Sequence, residues 1–225
     1  MIDAVVFDLD GLLLETEQLW DEVREALARE RGGRWSDRAQ AEMMGMSSPE
    51  WSRYMHDVVG LRETPDEIAA EVVRRMEARY RDGLPLLPGA HEAVERIAAR
   101  WPLGLASSSN RPLIDLALEL GDLAGFFRVT VSSEEVERGK PAPDVYLEAC
   151  HRLGVEPTRA AGIEDSRNGI RSAHAAGLRV VAIPNAQFPP AEESLALADV
   201  VLASLGELTV ESITSSGVVR RTSPD

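Results

Sequence analysis

This chain has almost no lysine. Of its 24 Lys and Arg side chains only one, Lys140, is a lysine, and it lies in the stretch RGKPAPD (138–144). A codon bias toward arginine accounts for such a composition without any function. The competing reading is that position 140 takes a compact point charge where a planar five-donor fork does not fit. Cysteine is equally scarce. Cys150 stands alone, which excludes an internal disulfide and fits a reducing compartment. No run approaches the ~18 apolar residues of a membrane-spanning helix. His56, His91, His151 and His174 lack the spacing of zinc ligands. A formal charge of −14 argues against nucleic acid or an anionic membrane as partner. The opening MIDAVVFDLD carries acids where a secretory signal carries positive charge, so a cytoplasmic location is expected.

What is present is ordinary soluble-protein material, 225 residues with 44% hydrophobic and 28% charged side chains, enough for a sizeable core. Six short apolar runs read as buried strands: Ala4–Asp8, Leu103–Ser107, Phe127–Ser132, Ala160–Glu164, Arg179–Ile183 and Asp199–Leu202. Continuous apolar strands point to a sheet covered on both faces. Helical patterns alternate with them at Ala90–Ala99, Pro112–Leu120, Asp144–Leu153 and Arg167–Ala176, the last with Ser166 as N-cap and Gly177 as its stop. Alternating β and α predicts an α/β, doubly wound parallel sheet whose sites lie at the strands' carboxyl ends.

One segment breaks that alternation. Glu17–Glu30, Ser36–Met44, Pro49–Val59 and Pro65–Tyr80 all show apolar residues at helical spacing and no strand signal. They predict an α-helical insert over residues 15–83, between core segments 1–14 and 84–214, with 215–225 a loose tail. Leu12–Thr16 and the Gly- and Pro-rich return RDGLPLLPG (81–89) are expected to form a two-stranded hinge.

The chemistry gathers at the strand ends. The first strand runs into Asp8-Leu-Asp10-Gly11, and in extended chain residues two apart project the same way. The fourth runs into Glu164-Asp165-Ser166. Either pair alone is equally compatible with an acid-rich turn. If both strands are neighbours, up to four carboxylates converge, and two unit charges ~4 Å apart repel by roughly 4 kcal/mol at an effective dielectric of 20. A cation relieves that load. All candidate ligands are hard oxygens, which suits Mg²⁺ with a substrate phosphate completing its shell. The second strand ends in LASSSN (105–110), where hydroxyls and free N–H groups before a helix make either an anion cradle or a plain helix cap. No G-x-S-x-G elbow is present, and Gly139-Lys140 is no P-loop because Pro141 follows it.

In order and approximate spacing, FDLDGLLLET, LASSS, GKPAPD and EDSRNGIRSAHAAG resemble the four motifs of the haloacid dehalogenase (HAD) superfamily. The resemblance spans the α/β core and implies a Rossmann-like fold, with the helical insert where that family places its cap. The Asp-x-Asp form is similar to the phosphatase and phosphomutase branch. It implies Asp8 as nucleophile and Asp10 as acid/base. It further implies Asp8, the Asp10 backbone carbonyl and Asp165 as Mg²⁺ ligands, with Glu164 in an outer position. Ser107, the Ser108 backbone N–H and Lys140 are implied as holders of the phosphoryl oxygens.

The expected activity is therefore a Mg²⁺-dependent phosphomonoester hydrolase acting on a small phosphorylated metabolite, a sugar or polyol phosphate. The chain itself is expected to be a monomer or weak homodimer. Trp20, Met46 and Ser48 are the candidate specificity residues of the insert, although Trp20, Met43, Met44 and Trp51 read first as its core. The sequence also resembles the β-phosphoglucomutase group, which has a histidine where this chain has Trp20 and an arginine where it has Ser48. Those departures favour hydrolysis over a phosphosugar mutase. A receiver-type signalling module shares the acidic pair and lysine, but it needs no helical insert.

Overall fold

The computed structural model describes residues 1–43, 46–215 and 219–220. Seven strands form one sheet: β1 (Ala4–Phe7), β2 (Leu103–Ser107), β3 (Phe127–Ser132), β4 (Ala160–Glu164), β5 (Arg179–Ala182), β6 (Val200–Val201) and β7 (Val219–Arg220). Their order is β3-β2-β1-β4-β5-β6-β7, and every pairing is parallel. Alternate residues of β1 serve opposite layers, as a pleated strand requires. Val5 and Phe7 pack with Val94 and Ile97 of α5 (Ala90–Ala98) and Leu113 and Ile114 of α6 (Arg111–Leu120). Val6 packs with Val145 and Tyr146 of α7 (Asp144–Leu153) and Ile170 of α8 (Arg167–Ala175). Burial on both faces is why these strands read as unbroken apolar runs. At the sheet edge β3 is only partly covered, and its first four residues stay accessible.

The chain places β2 and β3 on one side of β1, then crosses to place β4 and β5 on the other. That reversal opens a crevice at the carboxyl ends of β2, β1 and β4. Ser166 caps α8 by accepting from the Gly169 N–H, and Gly177 follows in the left-handed conformation at φ 82°.

The insert is helical throughout its regular parts: α1 (Glu17–Glu30), α2 (Asp37–Met43), α3 (Ser48–Tyr54) and α4 (Pro65–Asp82). Thr64 and Glu67 close a reciprocal capping box at the start of α4, with Pro65 in its first turn. The apolar faces of α1 (Val23, Leu27) and α4 (Ile68, Val72, Met76, Tyr80) are buried and join the same cluster as Phe7. The helix expected over Pro49–Val59 is instead α3 followed by a π-helical turn, Met55–Val59. Met55 and Val59 are both buried in that turn, and Gly60 ends it at φ 87°. Trp20, Met43 and Trp51 are buried as insert core. Met44 and Gly45 lie outside the described residues.

The hinge consists of bridges rather than extended strands. Leu14 bridges Leu86 in antiparallel fashion, flanked by Glu15 N–H to Pro85 O at 2.8 Å and Leu87 N–H to Leu13 O at 2.8 Å. Within the expected loose tail, Val219 and Arg220 pair with Val200 and Val201 as β7, which occupies the hydrogen-bonding edge that β6 would otherwise leave open. The rest of that tail, 216–218 and 221–225, lies outside the described residues.

Candidate active site

Asp8 stands immediately past β1, its N–H bonded to Ile163 O at 3.0 Å. Its carboxylate meets the only lysine. Lys140 Nζ lies 2.6 Å from Asp8 Oδ1 and 2.6 Å from Glu164 Oε1, and all three side chains are buried. The loop carrying Lys140 is held at both ends: Arg138 pairs with Asp144 at 2.9 Å, and Ser172 of α8 donates to Ala142 O at 2.6 Å. Its Lys140–Pro141 peptide is cis. Tyr146 of α7 completes the cluster, donating its hydroxyl to Glu164 Oε1 at 2.7 Å while its ring lies 5.1 Å from Lys140 Nζ. Tyr146 was not singled out from the sequence. An available signal was its place on the buried face of α7, since a buried phenol needs a partner for its hydroxyl.

Asp165 sits at the end of β4 beside Gly11. Gly11 has φ 83°, and a Cβ there would run into the Asp165 carboxylate, so the turn after Asp10 takes glycine for two separate reasons. Asp165 Oδ1 is buried and has no hydrogen-bond partner among the described residues. Glu164, by contrast, is fully committed: Oε1 accepts from Lys140 and Tyr146, and Oε2 accepts from the Asp165 and Ser166 N–H groups. Ligand atoms of Asp8, Glu164 and Asp165 all lie within 4.8 Å of one another.

Three buried carboxylates against one ammonium leave surplus negative charge. Burial first, then the Glu164 charge, push the Asp8 carboxyl up to about 8 despite the opposing pull of Lys140. Burial and the charges of Asp8 and Glu164 likewise hold Asp165 well above the carboxylate range. For Lys140, burial opposes the charged form, but Asp8 and Glu164 outweigh it and keep the ammonium protonated. An orphaned buried oxygen inside an all-oxygen, over-negative cluster fits a hard divalent cation.

Asp10 is held apart from that cluster by a ring of donors. Thr16 Oγ1 (2.6 Å) and Trp20 Nε1 (3.4 Å) donate to its Oδ1, and Ser109 Oγ (2.7 Å) and Ser107 Oγ (3.3 Å) to its Oδ2. Thr16 and Ser109 were not anticipated. Short hydroxyl residues beside helix starts read as caps, and nothing local marks a partner far along the chain.

A cavity of about 510 Å³ opens over these groups. Asp8, Asp10, Ser108, Lys140 and Asp165 line it. Ser107 and Glu164 are fully buried, and Trp20 reaches the site through its N–H to Asp10. The other two insert candidates are placed elsewhere. Ser48 is buried and donates to Asn110 Oδ1 at 2.7 Å, and Met46 packs against the apolar core; neither is among the described residues lining the cavity. The insert instead contributes Glu17 and Glu42, and the loop after β5 contributes Phe188. Asn185 shapes that loop by accepting from the Gln187 and Phe188 N–H groups. Burial first and the Asp10 charge next push the Glu17 carboxyl up to about 7, against the pull of Arg24. Arg24 is itself buried, stacked 4.9 Å from the Trp20 ring and 5.1 Å from that of Trp51.

A Rossmann-like parallel sheet, acids at the ends of β1 and β4, and a buried lysine beside them define a hydrolase of the haloacid dehalogenase class. The chain belongs to the haloacid dehalogenase-like hydrolase family, whose sequence profile matches residues 5–183. It is 33% identical to hexitol phosphatase B of Escherichia coli (strain K12), covering 93% of this chain and 96% of that protein. Among solved structures it is similar to CbbY from Rhodobacter sphaeroides in complex with phosphate, with TM-score 0.85, 29% identity, and 96% and 100% of the two chains covered. A mutant of that protein in complex with xylulose-1,5-bisphosphate gives TM-score 0.84 and 28% identity over 95% and 99% of the chains. Membership of this family, together with its phosphatase relatives, makes the chain a phosphomonoester hydrolase and sets aside the receiver-type reading. No described helix is long and apolar enough to cross a membrane.

Proposed function

We propose that this protein is a Mg²⁺-dependent phosphatase that hydrolyses a small sugar or polyol phosphate through a phosphorylated Asp8. The observation that carries the reading is the Lys140 ammonium 2.6 Å from Asp8 in a cavity that Asp10 and Asp165 also line. Asp8 Oδ attacks phosphorus in line while the ester P–O bond breaks, and Asp10 delivers its proton to the departing oxygen. Asp10 then takes a proton from water, the resulting hydroxide attacks phosphorus, and the Asp8–phosphorus bond breaks to release inorganic phosphate. Both carboxyl groups return to their starting states.

Such a reaction needs mainly alignment and neutralisation of spread charge. Lys140 supplies one fixed cation, and the Ser108 N–H, in the loop between β2 and α6, supplies a donor. Thr16, Trp20 and Ser109 aim Asp10 and keep it out of the cation cluster. Asp8, Asp165 and the Asp10 backbone carbonyl would hold Mg²⁺, with Glu164 acting from outside because its oxygens are committed. When bound, the cation offsets the repulsion between Asp8 and a dianionic phosphate. We further take residues 15–83 to act as the cap that shields this reaction from water, in a protein working in the cytoplasm as a monomer or weak homodimer.

The test is a phosphomonoester panel with purified protein and Mg²⁺, scored as free phosphate, with EDTA and Asp8→Asn controls. Release blocked by both supports the reading. No release from any panel member, or release that survives Asp8→Asn, overturns it. Isomerisation of a hexose 1-phosphate without net phosphate release would point to a mutase instead.

A further inference from the structure

The substrate of this site is an anion, and most of the charge it meets is negative. The chain carries −14 overall. The described lining of the cavity holds the carboxylates of Asp8, Asp10, Glu17, Glu42 and Asp165 against two cations, Lys140 and Arg167. Lys140 is buried and already committed, 2.6 Å from both Asp8 Oδ1 and Glu164 Oε1. It acts on a phosphate only after that group has entered. Arg167 is the opposite case. Its side chain is 58% exposed, which puts it at the solvent edge of the same cavity.

Local structure does not account for an arginine at this position. Arg167 is the first residue of α8, directly after its N-cap Ser166, and the first turn holds no acid to balance it. The positive end of the helix dipole disfavours a cation there. Its one ion pair among the described residues is with Glu193, in the short helix Glu192–Leu195, at 3.7 Å. That is longer than a hydrogen bond, and Glu193 is 75% exposed, so the pair stabilises little. A guanidinium held this weakly is available to a stronger anion, and its planar fork matches phosphate oxygens.

We propose that Arg167 is the recruiting residue of this cavity: it leaves Glu193 to pair with the phosphoryl dianion of an incoming substrate at the entrance, and it meets departing inorganic phosphate in the same way. The inference rests on the phosphatase reading of the same site. Arg167 makes and breaks no bond in the reaction. It acts on encounter and ground-state binding, so its effect falls on KM rather than on kcat. Because the contact is exposed, salt weakens it: the Debye length is about 30 Å at 0.01 M and about 3 Å at 1 M.

The experiment compares the wild type, Arg167→Gln and Glu193→Gln at constant Mg²⁺. It measures turnover of p-nitrophenyl phosphate and of sorbitol 6-phosphate, and inhibition by inorganic phosphate. At an ionic strength of about 0.01 M, Arg167→Gln is expected to raise both KM values and the phosphate Ki by a common factor of about three to ten, while kcat changes by less than about twofold. At about 1 M the difference from the wild type should vanish. Glu193→Gln removes the competing carboxylate and is expected to lower KM and Ki by about twofold. An unchanged KM in Arg167→Gln overturns the inference. So does an effect that persists at high salt, an effect confined to one substrate, or a KM raised by Glu193→Gln. If the wild type turns over neither substrate, the phosphatase reading fails first. Calorimetric titration with inorganic phosphate then still decides the inference: weaker binding by Arg167→Gln supports it, and equal binding overturns it.

Discussion

Lys140 Nζ stands 2.6 Å from Asp8 Oδ1 although 132 residues separate the two along the chain. The contact is buried, and Glu164 and the Tyr146 ring close the space around the ammonium. A guanidinium is longer and planar, so it cannot occupy the same point between two carboxylates. Lys140→Arg is therefore expected to cost at least about 100-fold in kcat/KM while the far-ultraviolet circular dichroism stays native. Near-native turnover would mean that the site needs only the charge.

Tyr146→Phe removes one hydroxyl and leaves the ring in place. Glu164 Oε1 then loses a 2.7 Å donor in a fully buried setting. The expected cost is about 1–3 kcal/mol of stability by urea denaturation. Half-saturation by Mg²⁺ should also rise by about tenfold or more. An unchanged Mg²⁺ titration would show that Tyr146 serves packing alone.

Thr16→Val is nearly isosteric and deletes the shortest donor to Asp10, at 2.6 Å. With Asp10 less well aimed, proton transfer suffers more than binding does. We expect kcat to fall by about tenfold with KM little changed. A KM effect without a kcat effect would place Thr16 in substrate binding.

Charge at the metal-free cluster sets a pH dependence. Asp8 is raised to about 8 and Asp165 is raised as well, so the folded protein keeps protons that an unfolded chain releases near its ordinary carboxylate range, about pH 4. Metal-free stability therefore falls as pH rises from about 4 through about 8. A divalent cation displaces those protons, so the gain in Tm on adding Mg²⁺ should be larger near pH 8 than near pH 6. Equal gains at both pH values would indicate that the cation binds away from Asp8 and Asp165.

Much of this molecule was legible before any coordinates. β1 to β6 were readable because strands buried on both faces must be apolar without interruption, and the core helices because one face repeats every three or four residues. Asp8, Asp10, Lys140 and Asp165, which the structure gathers around one cavity, were singled out by their motifs at the strand ends. What stayed hidden was pairing at long range. Ser109 reaching Asp10 and Ser48 reaching Asn110 leave no periodic trace, because a serine beside a helix start satisfies a local role as well. Glu17 was hidden for a similar reason: an acid in the first turn is what any helix favours, and only the fold brings it to the wall of the cavity.

The solitary lysine has one more consequence. Every other basic side chain is a guanidinium, so acetylation or methylation of lysine cannot retune the surface charge of this protein. The one side-chain amine in the chain is 5% exposed and lies against Asp8. A reagent that acylates lysine side chains thus has a single side-chain target, inside this cavity, and protection of Lys140 by a bound phosphate compound would report occupancy of the site directly.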